Sequence, residues 1–129
     1  MFLFSARHVF LTVFLGILLG STPAQADHTA IYVFGGLLEE IGNSPDLLNR
    51  DGRFWPNRMT NGETYVELVS KGLNLGILKP SSEGGTNYAW GPTSGQLPRE
   101  GDKSVSDQVE EFLAGLGDSG VPDPDALYL

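Results

Sequence analysis

The sequence predicts an α/β domain, an open and mostly parallel sheet flanked by helices, on three observations. The stretch Ala30–Asn43 passes from a β-branched and aromatic run through a Gly35-Gly36 break into a leucine- and glutamate-rich turn, the pattern of strand, tight turn and helix start. Two later segments with apolar residues at helical spacing alternate with short strand candidates. The first strand candidate, Ile31–Phe34, is apolar on both faces, as a central strand covered from two sides requires.

In chain order, the first 26 residues stand apart. Arg7 is followed by an apolar core from Val9 to Leu19, and Ser21 to Ala26 supplies small residues ending in Ala-Gln-Ala. This is the pattern of a secretory signal peptide cleaved after Ala26, which places the remainder, 27–129, outside the cytoplasm, secreted or periplasmic. A membrane anchor is the rival, but the core is far shorter than the roughly 20 residues a bilayer span needs. No stable membrane span is expected after cleavage. The chain holds no cysteine, so disulfides and thiolate chemistry are excluded, and 129 residues are at most one domain. All 16 acidic residues lie beyond Ala26, and the net charge is −8. Such a surface repels phosphate backbones, and no nucleic acid is expected as a partner.

After the first strand, Ile41-Gly42-Asn43 closes the turn region. Residues 44–61 are polar, with turn signals at Asp51-Gly52 and Pro56-Asn57. The stretch is either a functional loop or a short helix around Pro45–Leu48 between loops. Asn61 is the expected N-cap of a helix running to Lys71, with Glu63 in its first turn, Gly72 just past its end, and Tyr65, Val66, Val69 and Leu73 toward the sheet. Thr86–Trp90 is the second strand candidate, and 91–101 is a Gly- and Pro-rich loop. Ser104 opens another helix, with Asp107 completing a capping box and Val105, Val109, Phe112, Leu113 and Leu116 as its buried stripe. A loop over 117–124 leads to a third strand at Ala126–Leu129.

Four collinear segments carry a resemblance. They are Phe34-Gly35-Gly36-Leu37-Leu38-Glu39-Glu40-Ile41-Gly42-Asn43, then Gly52-Arg53-Phe54 with Asn61-Gly62 and Glu67, then Gly85-Thr86-Asn87-Tyr88-Ala89-Trp90-Gly91, and last Pro122-Asp123-Pro124-Asp125-Ala126-Leu127-Tyr128. In order and content they resemble the GDSL or SGNH hydrolases, in particular secreted bacterial phospholipase, lecithinase and haemolysin-like esterases, whose opening motif reads Phe-Gly-Asp-Ser-Leu-Ser-Asp-x-Gly-Asn. The resemblance implies a flavodoxin-like three-layer α/β/α fold, here its N-terminal part, with about three parallel strands and about three helices. It also implies an ancestral chemistry, cleavage of carboxylic esters through an acyl-serine, with no cofactor and no metal.

At the catalytic positions the chain departs from that pattern. Leu37 stands where the family has its nucleophilic serine, and leucine has no hydroxyl to deprotonate. Gly36 stands at the adjacent Asp position. In the oxyanion region the backbone N–H of Leu37 remains as a donor. The second donor falls on Pro92, which has no N–H, or with a one-residue shift on Gly91. The family's third-block Asn and its Asp-His pair correspond to nothing before Leu129, so a C-terminal half is an expected partner. His28, beside the expected new N-terminus, reads as an exposed terminal residue rather than a base. Gly117-Asp118-Ser119 spells the signature letters but follows a helix, so it reads as a loop. Glu39, Asn43, Arg53, Asn87 and Trp90 are the cleft candidates. Glu39 and Glu40 read either as a metal or base pair or, the favoured reading, as acids complementing a helix N-terminus. Trp55, Tyr88 and Trp90 line an acyl or sugar cleft or simply pack, and Arg53 pairs with a carboxylate. The expected function is that of an inactive relative of a secreted esterase. The alternatives are a non-catalytic module binding a lipid, an ester or a glycan, and a fragment without independent function.

Overall fold

The computed structural model describes residues 27–44, 55–91 and 101–129. The expected signal peptide, the helix expected around Pro45–Leu48, Arg53 and Pro92 lie outside these residues. Strand β1, Ile31–Tyr32, pairs in parallel with β2, Leu127–Tyr128, in the register Ile31 to Leu127 and Tyr32 to Tyr128. Two hydrogen bonds extend the pairing, Leu129 N–H to the Tyr32 carbonyl and Phe34 N–H to the Leu129 carbonyl, both 2.9 Å. On the other side of β1 runs the expected strand Thr86–Trp90, also parallel, through the Val33 to Asn87 bridge and a Tyr88 N–H to Val33 carbonyl bond of 2.7 Å. That segment stays a bridge rather than a full strand for a local reason. The Gly35 N–H, which would carry the ladder onward, donates to Gln108 Oε1 at 2.8 Å instead.

The pleat alternates the side chains of β1 between two layers. Ile31 and Val33 join Ile41, Val66, Leu78 and Ala89 in the buried core, with Val69, Leu75 and Leu127 packed against it. This face is covered by helix α1, Tyr65–Gly72. Tyr32 and Phe34 point the other way, where Phe112 of helix α2, Val105–Gly115, sits 4.9 Å from the Tyr32 ring, 5.7 Å from Phe34, and 5.8 Å from Tyr88 and from Tyr128. Helices therefore cover opposite faces of a parallel sheet, and the α/β class expected from the sequence holds. Among the described residues there are two α-helices and two strands plus the bridged segment, against about three of each expected.

Three local expectations are corrected. Helix α1 begins at Tyr65 with Thr64 as N-cap, not at Asn61, because the Glu67 carboxylate accepts the Thr64 N–H at 2.8 Å and the Thr64 hydroxyl at 3.1 Å. It runs through Gly72, and the left-handed position after it is taken by Asn74, φ 57°, whose N–H bonds the Lys71 carbonyl. Of its expected inner face, Val66 and Val69 turn inward but Tyr65 is exposed.

Helix α2 opens at Ser104 with the Asp107 box as expected, yet its inner face differs. Gln108 and Phe112 are buried while Val105, Val109 and Leu113 are exposed. Gln108 forms both halves of a clip to Gly35, Nε2 donating to the carbonyl at 3.0 Å and Oε1 accepting the N–H. That pair of bonds, with Phe112 one turn later, sets the rotation of the helix and turns the valine stripe outward.

No helix among the described residues is long and apolar enough to cross a membrane.

Candidate functional site

The corner at the end of β1 is where the sequence places the site. Gly35 and Gly42 bracket it at φ 139° and 140°, backbone that a side chain strains. Between them the chain forms a tight turn rather than a helix start, with Glu39 and Glu40 N–H both reaching the Gly36 carbonyl. The expectation that Glu39 and Glu40 stand in the first turn of a helix is thereby corrected, since residues 36–44 form turns and bends. Each instead binds N–H groups of the turn itself. Glu39 Oε2 accepts the Gly36 N–H at 3.0 Å and its Oε1 accepts the Tyr65 hydroxyl at 3.1 Å. Burial and then the Glu39 carboxylate push the Tyr65 phenol above its ordinary pKa, so it stays protonated.

Glu40 is fully buried and its carboxylate gathers four backbone donors. Oε1 accepts from Gly42 and Asn43 at 2.6 Å each, and Oε2 from Ser44 at 3.1 Å and Gly91 at 3.2 Å. Burial pushes the carboxyl above the ordinary glutamate range, and the four N–H bonds pull it back without cancelling that effect. The result is a hub that ties the corner to the end of the second parallel segment.

Leu37 is half-buried and lies over Gly91, so closely that a methyl on Gly91 would fall 2.4 Å from Leu37 Cδ2. Of the expected oxyanion donors, the Gly91 N–H is committed to Glu40, and the N–H of Gly36, at the expected Asp position, donates to Glu39. The N–H of Leu37 has no acceptor among the described residues.

The other cleft candidates take structural positions. Asn43 is buried and donates to the Asn87 and Ala89 carbonyls at 2.7 and 3.0 Å, while its Oδ1 accepts the Ser82 N–H. Asn87, with no exposed surface, donates to the Glu39 carbonyl and accepts the Ala89 N–H. Trp90 is half-buried with the Lys103 ammonium 4.9 Å from its ring centre. Gly117–Ser119 forms a short 3-10 turn after α2, not a strand-to-helix corner. His28 lies at the opposite end of β1 from Leu37, its Nδ1 3.3 Å from the Asp125 carbonyl.

Two arrangements were missed in the sequence. Arg58 pairs with the Glu67 carboxylate, with Nε to Oε2 at 2.8 Å and a second contact from Nη2 to Oε1. Thr64 and Glu67, three apart and ahead of an apolar pair, were the available signal for it. Gln108 gave no signal, because one glutamine on a helix says nothing of a glycine 73 residues away.

Cavities of about 270 and 370 Å³ lie near the start of β1 and beside α1, and neither borders Leu37. Among the described residues no group of three or more acidic or histidine side chains is placed to hold a metal. Among the described residues the corner thus presents a leucine, the Glu40 carboxylate bonded by four N–H groups, and the Glu39 carboxylate bonded by one N–H and the Tyr65 hydroxyl. No family model, no curated protein and no solved structure matches the chain.

Proposed function

We propose that the chain is a non-catalytic relative of the secreted GDSL or SGNH ester hydrolases, exported by its N-terminal segment and built on the N-terminal part of their flavodoxin-like fold. The observation that carries the reading is the pairing of Leu37 with Gly91. The position matched to the nucleophile is filled by an apolar side chain packed on a glycine whose N–H serves Glu40. An acyl-transfer step needs a nucleophile, a base within hydrogen-bond reach and a preorganised donor set. This corner retains one donor, the N–H of Leu37.

The test is hydrolysis of p-nitrophenyl acetate and butyrate by the purified chain, with rates expected at the buffer level. Turnover well above buffer that disappears in Glu39→Ala or His28→Ala would overturn the proposal. Leu37→Ser is expected to stay silent as well, because a serine there meets no imidazole.

A second reading, that another polypeptide segment completes the sheet, is favoured by the exposure of Val105, Val109 and Leu113 along α2, of Tyr128 on β2 and of Leu129 beside it. Completion of this kind would bury those residues and raise the melting temperature when the segment is supplied in trans.

A further inference from the structure

A groove of about 370 Å³ runs beside the first turns of α1, at the lower end of the roughly 300–1,000 Å³ of small-molecule sites. None of the corner residues lines it, so its chemistry does not depend on the role of Leu37. Its apolar wall is Trp55, 45% exposed, and Ile77, 83% exposed. Its polar wall is two ion pairs, Arg58 with Glu67 and Lys71 with Glu63.

Those two walls define the chemistry of the occupant. Each charge already has its opposite beside it, so an ionic ligand finds no uncompensated partner and must break a pair to gain one. A wholly apolar ligand, such as an acyl chain, would strip water from the Lys71 and Glu63 pair and return no hydrogen bonds. What fits is a neutral molecule with one apolar face and a rim of hydroxyls. The Arg58 guanidinium lies 5.4 Å from the centre of the Trp55 ring, which holds the indole in place and covers one face of it. The ring's exposed surface offers negative π density to the weakly positive C–H bonds of a sugar ring. Glu67 is buried with both oxygens taken by Arg58 and Thr64, so that pair forms the rigid back of the groove and the more exposed Lys71 and Glu63 pair meets the hydroxyls.

We propose that this groove binds a short neutral oligosaccharide, with one pyranose ring stacked on Trp55 and its hydroxyls bonded to Lys71 and Glu63.

The full chain is titrated by calorimetry with cellotriose, chitotriose and maltotriose. At least one is expected to bind saturably, and Trp55→Ala is expected to weaken that binding by about tenfold or more. Trp55 is solvent-exposed, so the variant is expected to keep the wild-type circular dichroism and melting temperature. The chain has two tryptophans, and Trp90→Phe leaves Trp55 as the sole indole, whose fluorescence should then report the same affinity. Lys71→Ala, a change away from the core, is expected to weaken binding several-fold and serves if Trp55→Ala fails to fold. Absence of saturable binding for all three sugars overturns the proposal. So does binding undiminished in both variants, or tighter binding of sodium acetate or of a dodecyl detergent than of any sugar.

Discussion

At the scale of single residues, the corner is governed by Glu40 and by the contact between Leu37 and Gly91. A glutamine at position 40 keeps the shape of the side chain but sets an amide donor against the N–H groups of Ser44 and Gly91, leaving them without acceptors. Glu40→Gln is therefore expected to cost about 2 kcal/mol in urea unfolding, the unmet donors outweighing the relief of a buried charge. The two buried glutamates respond to pH in opposite directions. Burial raises the Glu40 carboxyl, so its contribution to stability is full below the ordinary glutamate pKa and fades as pH rises through the raised value. For Glu67, burial raises the carboxyl but Arg58 and the Thr64 N–H outweigh it, so the net direction is down. Its contribution is present above the ordinary value and is lost as pH falls through the lowered one. Unfolding midpoints measured from about pH 3 to pH 7 should show a smaller acid-side decline in Glu67→Gln, with Asp107 and Asp123, also lowered, supplying the remainder, and keep the full decline in Glu40→Gln. Gly91→Ala forces a methyl onto Leu37 and should cost about 1–3 kcal/mol, most of it recovered when Leu37→Ala is added. Additive losses in that cycle would mean the two side chains do not meet.

Elements show where periodicity was a good guide and where it was not. The Ser104 and Asp107 cap of α2 is a local pattern, complete within four residues, and it stands as written in the sequence. Which face of α2 turns inward is not local. The apolar residues Val105, Val109 and Leu113 make the more hydrophobic stripe, but the helix buries Gln108 and Phe112, because the Gln108 amide both accepts the Gly35 N–H and donates to the Gly35 carbonyl. Phe112 touches four aromatic rings, so Phe112→Ala should cost about 3–5 kcal/mol. Leu113→Ala, at the next position and 48% exposed, should cost less than about 1 kcal/mol. Equal losses would place Leu113 in the core and return α2 to the orientation its hydrophobic pattern suggests. The same contrast holds for α1, whose start moved from Asn61 to Thr64 because the carboxylate that caps it is itself anchored by Arg58.

For the whole molecule, β1 is the shared element. One face of it packs under α1 and the other under α2, so loss of either helix exposes the same strand. Unfolding is accordingly expected to be a single transition, with far-ultraviolet circular dichroism and tryptophan fluorescence sharing one midpoint. Two separated midpoints would mean that the layers fold independently and that the sheet does not couple them. What the sequence determined by itself is what local pattern and composition encode: an acidic, cysteine-free chain, extended segments around Ile31–Tyr32, Asn87 and Leu127–Tyr128, two amphipathic helices and a Ser104 cap. These come from side-chain period, turn chemistry and the identity of single residues. Tertiary structure alone decided that a turn rather than a helix follows β1, that Glu40 collects four N–H groups, that Gln108 rather than the valine stripe faces the sheet, and that Asn43 and Asn87 are buried ties. Each of these depends on a buried polar group finding its partner, close by in the turn or dozens of residues away. In a protein interior the need to satisfy such groups outweighs the modest gain from turning one more apolar side chain inward.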